Sequence, residues 1–177
     1  MDFMNRVAPE LKEILTVFPP LSLPEGLEAA RQAPAIPIEK LENVNITTRS
    51  IPGGDGQEMK VKIYEPTPRN GTKLPALLFI HGGGYVLGDA DGSDGDCQEF
   101  AQQAQCVVVS AVYRLAPEHP FPAPLEDCYA ALVWMTKAAD ELNIDVSRVA
   151  VAGQSAGGGL TAALSLLARD RKGPSIS

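Results

Sequence analysis

The sequence is short of the residues from which metal centres, disulfide scaffolds and polyanion-binding surfaces are made. Only Cys97, Cys106 and Cys128 among its 177 residues are cysteines, an odd number without metal-ligand spacing. That pattern argues against a metal site and a disulfide framework, and for buried free thiols in a reducing compartment. An apolar signal core is absent from the N-terminus, and no stretch is long enough to span a bilayer. The resulting expectation is a cytoplasmic protein with no membrane span. A basic excess is lacking as well. The net charge is −7 and the pI near 4.8, which argues against nucleic acid and anionic membranes as partners. No internal repeat is visible. Asn45-Ile46-Thr47 and Asn70-Gly71-Thr72 match the glycosylation pattern but follow no secretion signal, so they carry no weight.

What is present suffices for one ordinary domain with a real core: 45% of the residues are hydrophobic. Residues 9 to 18 place Leu11, Ile14, Leu15 and Phe18 on one helical face. Pro19-Pro20 breaks the chain, and a second short helix is expected from about Pro24 to before Pro34. These helices fit a cap or an arm covering a sheet edge equally well. Residues 43–51 alternate, Gly53-Gly54-Asp55-Gly56 turns, and Met59, Val61 and Ile63 alternate with lysines. This predicts an antiparallel hairpin with one wet face. Residues 76–80, 106–112 and 148–152 are continuous apolar runs, as in strands covered on both faces. Helices are predicted near 94–105 and 124–142, the second with Leu125, Cys128, Tyr129, Leu132, Met135 and Ala139 on one face. The fold class is α/β: a mostly parallel, doubly wound sheet with an antiparallel N-terminal hairpin. Ala116-Pro117 and Phe121-Pro122 are candidates for cis peptide bonds.

Chemistry is expected at the carboxyl ends of strands. After strand 148–152 comes Gly153-Gln154-Ser155-Ala156-Gly157, which reads G-x-S-x-G, and then an Ala- and Leu-rich helix. Strand, sharp turn and helix are the context of a nucleophile elbow, with Ser155 the candidate nucleophile. The plain alternative is a glycine-rich turn with Ser155 capping the next helix. After strand 76–80 comes His81-Gly82-Gly83-Gly84-Tyr85. Glycines let backbone N–H groups approach a developing oxyanion without a side chain in the way. Gly82, Gly83 and Gly84, with the N–H of Ala156, are the candidate oxyanion hole. His81 is read as a support for that loop, His119 as a surface or loop-packing residue, and Tyr85 as a pocket residue. Nothing singles out Asp127, Asp140 or Asp145 as an acid. No metal and no cofactor are expected.

His81-Gly82-Gly83-Gly84, Tyr113-Arg114-Leu115-Ala116-Pro117-Glu118, Phe121-Pro122-Ala123 and Gly153-Gln154-Ser155-Ala156-Gly157-Gly158, in that order, resemble the hormone-sensitive-lipase-like family of α/β-hydrolases. The resemblance covers nearly the whole chain. It implies a carboxylesterase acting on short or medium acyl esters without a cofactor, with residues 1–42 as cap helices and 43–177 as the N-terminal part of the hydrolase core. Gln154 departs from the family's usual Asp, which implies altered local hydrogen bonding. A larger departure concerns the triad, whose acid and histidine follow the serine in this fold. The chain ends soon after the elbow helix, so both are expected to be missing from it, leaving these 177 residues inactive or very weak as an enzyme. Strand 148–152 is then expected to leave one bare edge, covered by the rest of the same protein, a partner chain or a second copy in a homodimer. Alternatives on the same apparatus are an amidase or formamidase, and a non-catalytic ligand-binding module of the gibberellin-receptor type.

Overall fold

The computed structural model describes residues 3–17, 23–32 and 38–177. Phe18, Pro19, Pro20 and Pro34, named above, lie outside the described residues. The chain forms two compact units, Met1–Ala33 and Pro34–Ser177. The first holds helices α1 (Pro9–Val17) and α2 (Leu27–Arg31). Leu11, Ile14 and Leu15 of α1 are exposed.

The second unit is built on one sheet. Strands β1 (Val44–Pro52) and β2 (Glu58–Pro66) form the expected hairpin, with Pro52 opposite Glu58 across the glycine turn. Strands β3 (Leu74–Ile80), β4 (Val107–Val112) and β5 (Ile144–Gly153) complete the order β1-β2-β4-β3-β5. β2 meets β4 antiparallel, while β3 runs parallel to both β4 and β5. Helix α3 (Asp94–Gln103) links β3 to β4. Helices α4 (Ala123–Lys137) and α5 (Ala139–Leu142) link β4 to β5, and α6 (Ala156–Asp170) follows β5.

Strand alternation divides the core into two layers. Val61, Ile63, Leu78, Ile80, Val107 and Val109 pack with Leu132 and Met135 of α4 and Leu160 and Leu164 of α6. Tyr64, Leu77, Phe79 and Val108 pack on the opposite face with Cys97 and Ala101 of α3. The apolar runs are continuous because each residue has a helix on one side or the other. All three cysteines are free and buried. Burial pushes the Cys97 thiol up to about 12 and the Cys106 thiol up to about 11. The Ala116-Pro117 and Phe121-Pro122 bonds are both cis. Among the described residues no helix is long and apolar enough to cross a membrane.

Some expectations need correction. The hairpin's second face is only partly wet: Tyr64 is fully buried and donates its hydroxyl to Asp94 of α3 at 2.6 Å. Lys62 beside it ion-pairs with Asp91 at 2.7 Å and also with Asp94. The 124–142 helix breaks after Lys137 and ends at Asn143, a left-handed residue. β5 starts earlier than expected, pairing Ile144 with Leu74. Regular register resumes only at Val149, because Asp145 draws the Ser147 N–H and hydroxyl and the Arg148 guanidinium into a local turn. The outer edge of β5 is not wholly bare: Ser177 N–H donates to the Val149 carbonyl at 2.8 Å.

Candidate active site

β3 and β5 are neighbours and parallel, with Ile80 opposite Gly153. Their chains therefore leave the sheet side by side. Gln154 N–H still reaches the Ile80 carbonyl at 3.2 Å, and the chain then bends through Ser155 at φ 52°, ψ −117°. A non-glycine residue in that region is strained and persists only where its surroundings dictate it. Here they do. Gly157 N–H donates to Gln154 O at 2.8 Å and Gly158 N–H to Ser155 O at 2.9 Å, starting α6 at once. The elbow glycines are sterically required. A Cβ on Gly157 would lie 2.0 Å from the Ile80 carbonyl oxygen, and one on Gly153 would lie 2.4 Å from the Gly157 carbonyl carbon.

Ser155 occupies the N-cap position of α6, yet its side chain makes no capping hydrogen bond. The residue is exposed. The capping alternative thus loses its physical basis, since a cap stabilises only by accepting a helix N–H.

The glycine loop runs directly alongside. A Cβ on Gly82 would sit 3.4 Å from Ser155 Cβ. Gly83 and Gly84 adopt φ 121° and 62°, a backbone closed to most side chains. Val86 and Leu87 N–H groups both donate to Gly83 O, at 3.1 and 2.8 Å, which tightens the loop. Among the described residues, the N–H groups of Gly83, Gly84 and Ala156 meet no protein acceptor. Unpaired donors beside an exposed serine are suited to receive an anionic oxygen.

His81 is buried beneath this loop. Its Nδ1–H donates to the Gly82 carbonyl at 2.7 Å, and its ring stacks on Tyr113 at 4.2 Å. The Tyr113 hydroxyl donates to the His81 carbonyl at 2.9 Å. Burial holds the imidazole below the usual histidine range, so it sits neutral. These contacts tie the ring to the glycine loop on one side and to Tyr113 on the other. His119 is exposed, and its backbone N–H donates to Leu115 O at 2.9 Å.

Sequence reasoning passed over Asp127, whose side chain is fully buried. Its carboxylate takes two hydrogen bonds from the Arg114 guanidinium, at 2.8 Å each, one from Arg114 N–H at 3.1 Å and one from Gly54 N–H at 3.0 Å. It ties the end of β4 and the hairpin turn to α4. Also passed over was an apolar pocket of about 350 Å³. Tyr85, named from the sequence, lines it with Gly159, Leu160 and Ala163 of α6 and Phe121 and Leu125. Helical spacing from Ser155 offered a signal, because a residue four positions on lies one turn above it on the same face.

A mixed sheet with helices on both faces, carrying a strand-to-helix serine turn beside a glycine turn, is the architecture of an α/β hydrolase. A model of the alpha/beta hydrolase fold matches residues 77–177, and the chain belongs to that family, in its hormone-sensitive-lipase-like branch. It is similar to Esterase LipI of Mycobacterium tuberculosis, 40% identical over 176 residues, covering 96% of this chain and 54% of that protein. It is similar also to Carboxylesterase NlhH of the same organism, at 42% over 175 residues with the same coverage. Among solved structures it superimposes on a bacterial heroin esterase with a TM-score of 0.82 and 38% identity, over 99% of this chain and 57% of that one. An esterase from Pyrobaculum calidifontis gives 0.78 and 35%, over 97% and 56%. The chain spans about half the length of these relatives.

Proposed function

We propose that the complete protein is a carboxylic ester hydrolase with Ser155 as nucleophile. In this reading Ser155 Oγ attacks the acyl carbon of a short or medium acyl ester, and the N–H groups of Gly83, Gly84 and Ala156, with Gly82 as part of the same loop, hold the oxyanion. Losing one such donor typically costs about 10²–10³ in rate. The observation that carries the reading is the closeness of the two turns: a strained, exposed, uncapping serine with Gly82 packed against it.

The base and acid of the triad belong, in this proposal, to the segment of the protein that follows Ser177. Two facts support it. His81 is committed to the glycine loop, and the chain spans about half its relatives. The same continuing segment is proposed to pair with the outer edge of β5, where Ser177 already meets Val149. Residues 1–42 are proposed as part of a cap. A reducing cytoplasm is proposed as the location, supported by three buried free thiols.

The test is Ser155→Ala in the complete protein, assayed on p-nitrophenyl esters. Turnover is expected to collapse; in another serine hydrolase the equivalent loss is about 10⁶ in kcat. Undiminished hydrolysis would remove Ser155 from the mechanism. The 177-residue chain alone is expected to show at most a trace of turnover.

A further inference from the structure

The strained residue beyond the glycine loop has a role of its own. Tyr85 is left-handed, at φ 66°. Its carbonyl accepts the Ala116 N–H at 2.9 Å, and the Gly83 carbonyl closes the turn just after it. Both bonds hold the Tyr85 backbone in a conformation that tyrosine pays for. The outcome is a definite ring position: an ideal Cβ on Gly159 would lie 2.6 Å from the Tyr85 hydroxyl. The tip of the tyrosine therefore rests over a bare stretch of α6. Gly159 follows Ser155 by four positions, about 6 Å along a helix axis.

Tyr85 and Gly159 together form one wall of the 350 Å³ pocket, with Leu160 and Ala163 farther along α6 and Phe121 at 82% exposure on its rim. The lining is overwhelmingly apolar, and its size falls in the range of small-molecule sites.

Resting on the ester-hydrolase reading, we propose that the Tyr85–Gly159 contact is the specificity gauge of this site: it sets how long a hydrocarbon arm of the ester the pocket accepts. Tyr85 is a wall rather than a reacting group, because its ring meets the helix one turn beyond the serine. Gly159 is the complementary half, since any side chain there takes space from the pocket and displaces the tyrosine tip. The backbone of Gly159 is ordinary helix, so a substitution meets no conformational bar.

A binding experiment needs no turnover and so stands or falls apart from the nucleophile assignment. The complete protein is titrated calorimetrically with the straight-chain methyl ketones 2-hexanone, 2-octanone and 2-decanone. Affinity is expected to rise about fourfold per methylene until the pocket is full. Gly159→Val is expected to end that rise at least two methylenes earlier, and Tyr85→Ala to extend it. Tyr85 is half-exposed, which makes the second variant tolerable even where the first misfolds. Affinity independent of chain length, or variants with the wild-type length profile, would overturn the proposal. Two hydrolysis panels then assign the arm: p-nitrophenyl esters of varied acyl length, and acetate esters of varied alcohol length. The length cut-off moves with the two variants in one panel if the gauge is real, and in neither if it is not.

Discussion

Adding one methyl group at Gly157 provides a severe test of how the site is assembled. A Cβ there would lie 2.0 Å from the Ile80 carbonyl oxygen and 2.5 Å from that of His81, both backbone atoms at the end of β3. Carbon and oxygen ordinarily approach no closer than about 3.3 Å. The start of α6 must therefore move off β3 by an amount on the order of 1 Å. Overpacking of this kind costs about 1–3 kcal/mol. Alanine's better helix propensity returns at most about 1 kcal/mol of that. A displacement of about 1 Å at a reacting group costs around 10²-fold in rate, and here the displaced group is Ser155, the proposed nucleophile. Gly157→Ala is thus expected to lower the melting temperature of the complete protein by a few degrees at most. It is also expected to cut kcat/KM on p-nitrophenyl butyrate about a hundredfold. The control is the next residue. A Cβ on Gly158 meets only the Gly153 carbonyl, at 3.2 Å. Gly158→Ala is expected to leave stability unchanged or slightly raised and turnover within a few-fold. Equal behaviour of the two variants would refute the account, because only the contact with β3 distinguishes them.

The Asp127 junction and the His81 ring give further expectations. Asp127→Ala removes two of the Arg114 guanidinium's bonds, leaving it the Asp55 carboxylate, and strips the Gly54 and Arg114 backbone N–H groups of their acceptor; breaking a buried pair costs about 3–5 kcal/mol. Because Arg114 stays partly exposed, the loss is expected near the lower bound in urea unfolding, and a change below about 1 kcal/mol would contradict the assigned role. For His81 the sign follows from burial: the folded state resists protonation, so the unfolded chain binds the extra proton. Its contribution is complete above the unfolded value of about 6.5 and is lost as pH falls below it. Denaturation midpoints at pH 7.5 and 5.5 should differ more for the wild type than for His81→Gln, and identical slopes would show that His81 does not titrate with unfolding.

Much of this was legible because local chemistry and tertiary context agreed. The run at 76–80 is apolar at every position and that at 107–112 at every position but Ser110, and the structure covers both faces. The glycine turns announced themselves since few other residues tolerate their backbone, and none the closeness at Gly83, Gly153 and Gly157. What stayed hidden depended on distant partners. Asp127 looks like any helix carboxylate until the fold brings Arg114 and Gly54 to it. The hairpin face that carries Lys62 was expected to be wet because nothing local reveals that α3 lies across it and meets Lys62 and Tyr64. Gly159 was half legible: its helical spacing from Ser155 marked the position, but one more glycine in a glycine-rich helix start does not reveal that Tyr85 lies above it.

The parallel pairing of Ile80 with Gly153 has a consequence for how such a protein comes into being. The serine and the glycine loop hang from strands far apart in the sequence, joined through a crossover that includes all of β4 and three helices. Contacts of that span form late and slowly. Competence for chemistry is therefore not conferred on an already finished body. Until β5 docks, the polypeptide has the parts of the proposed centre but no place where they meet.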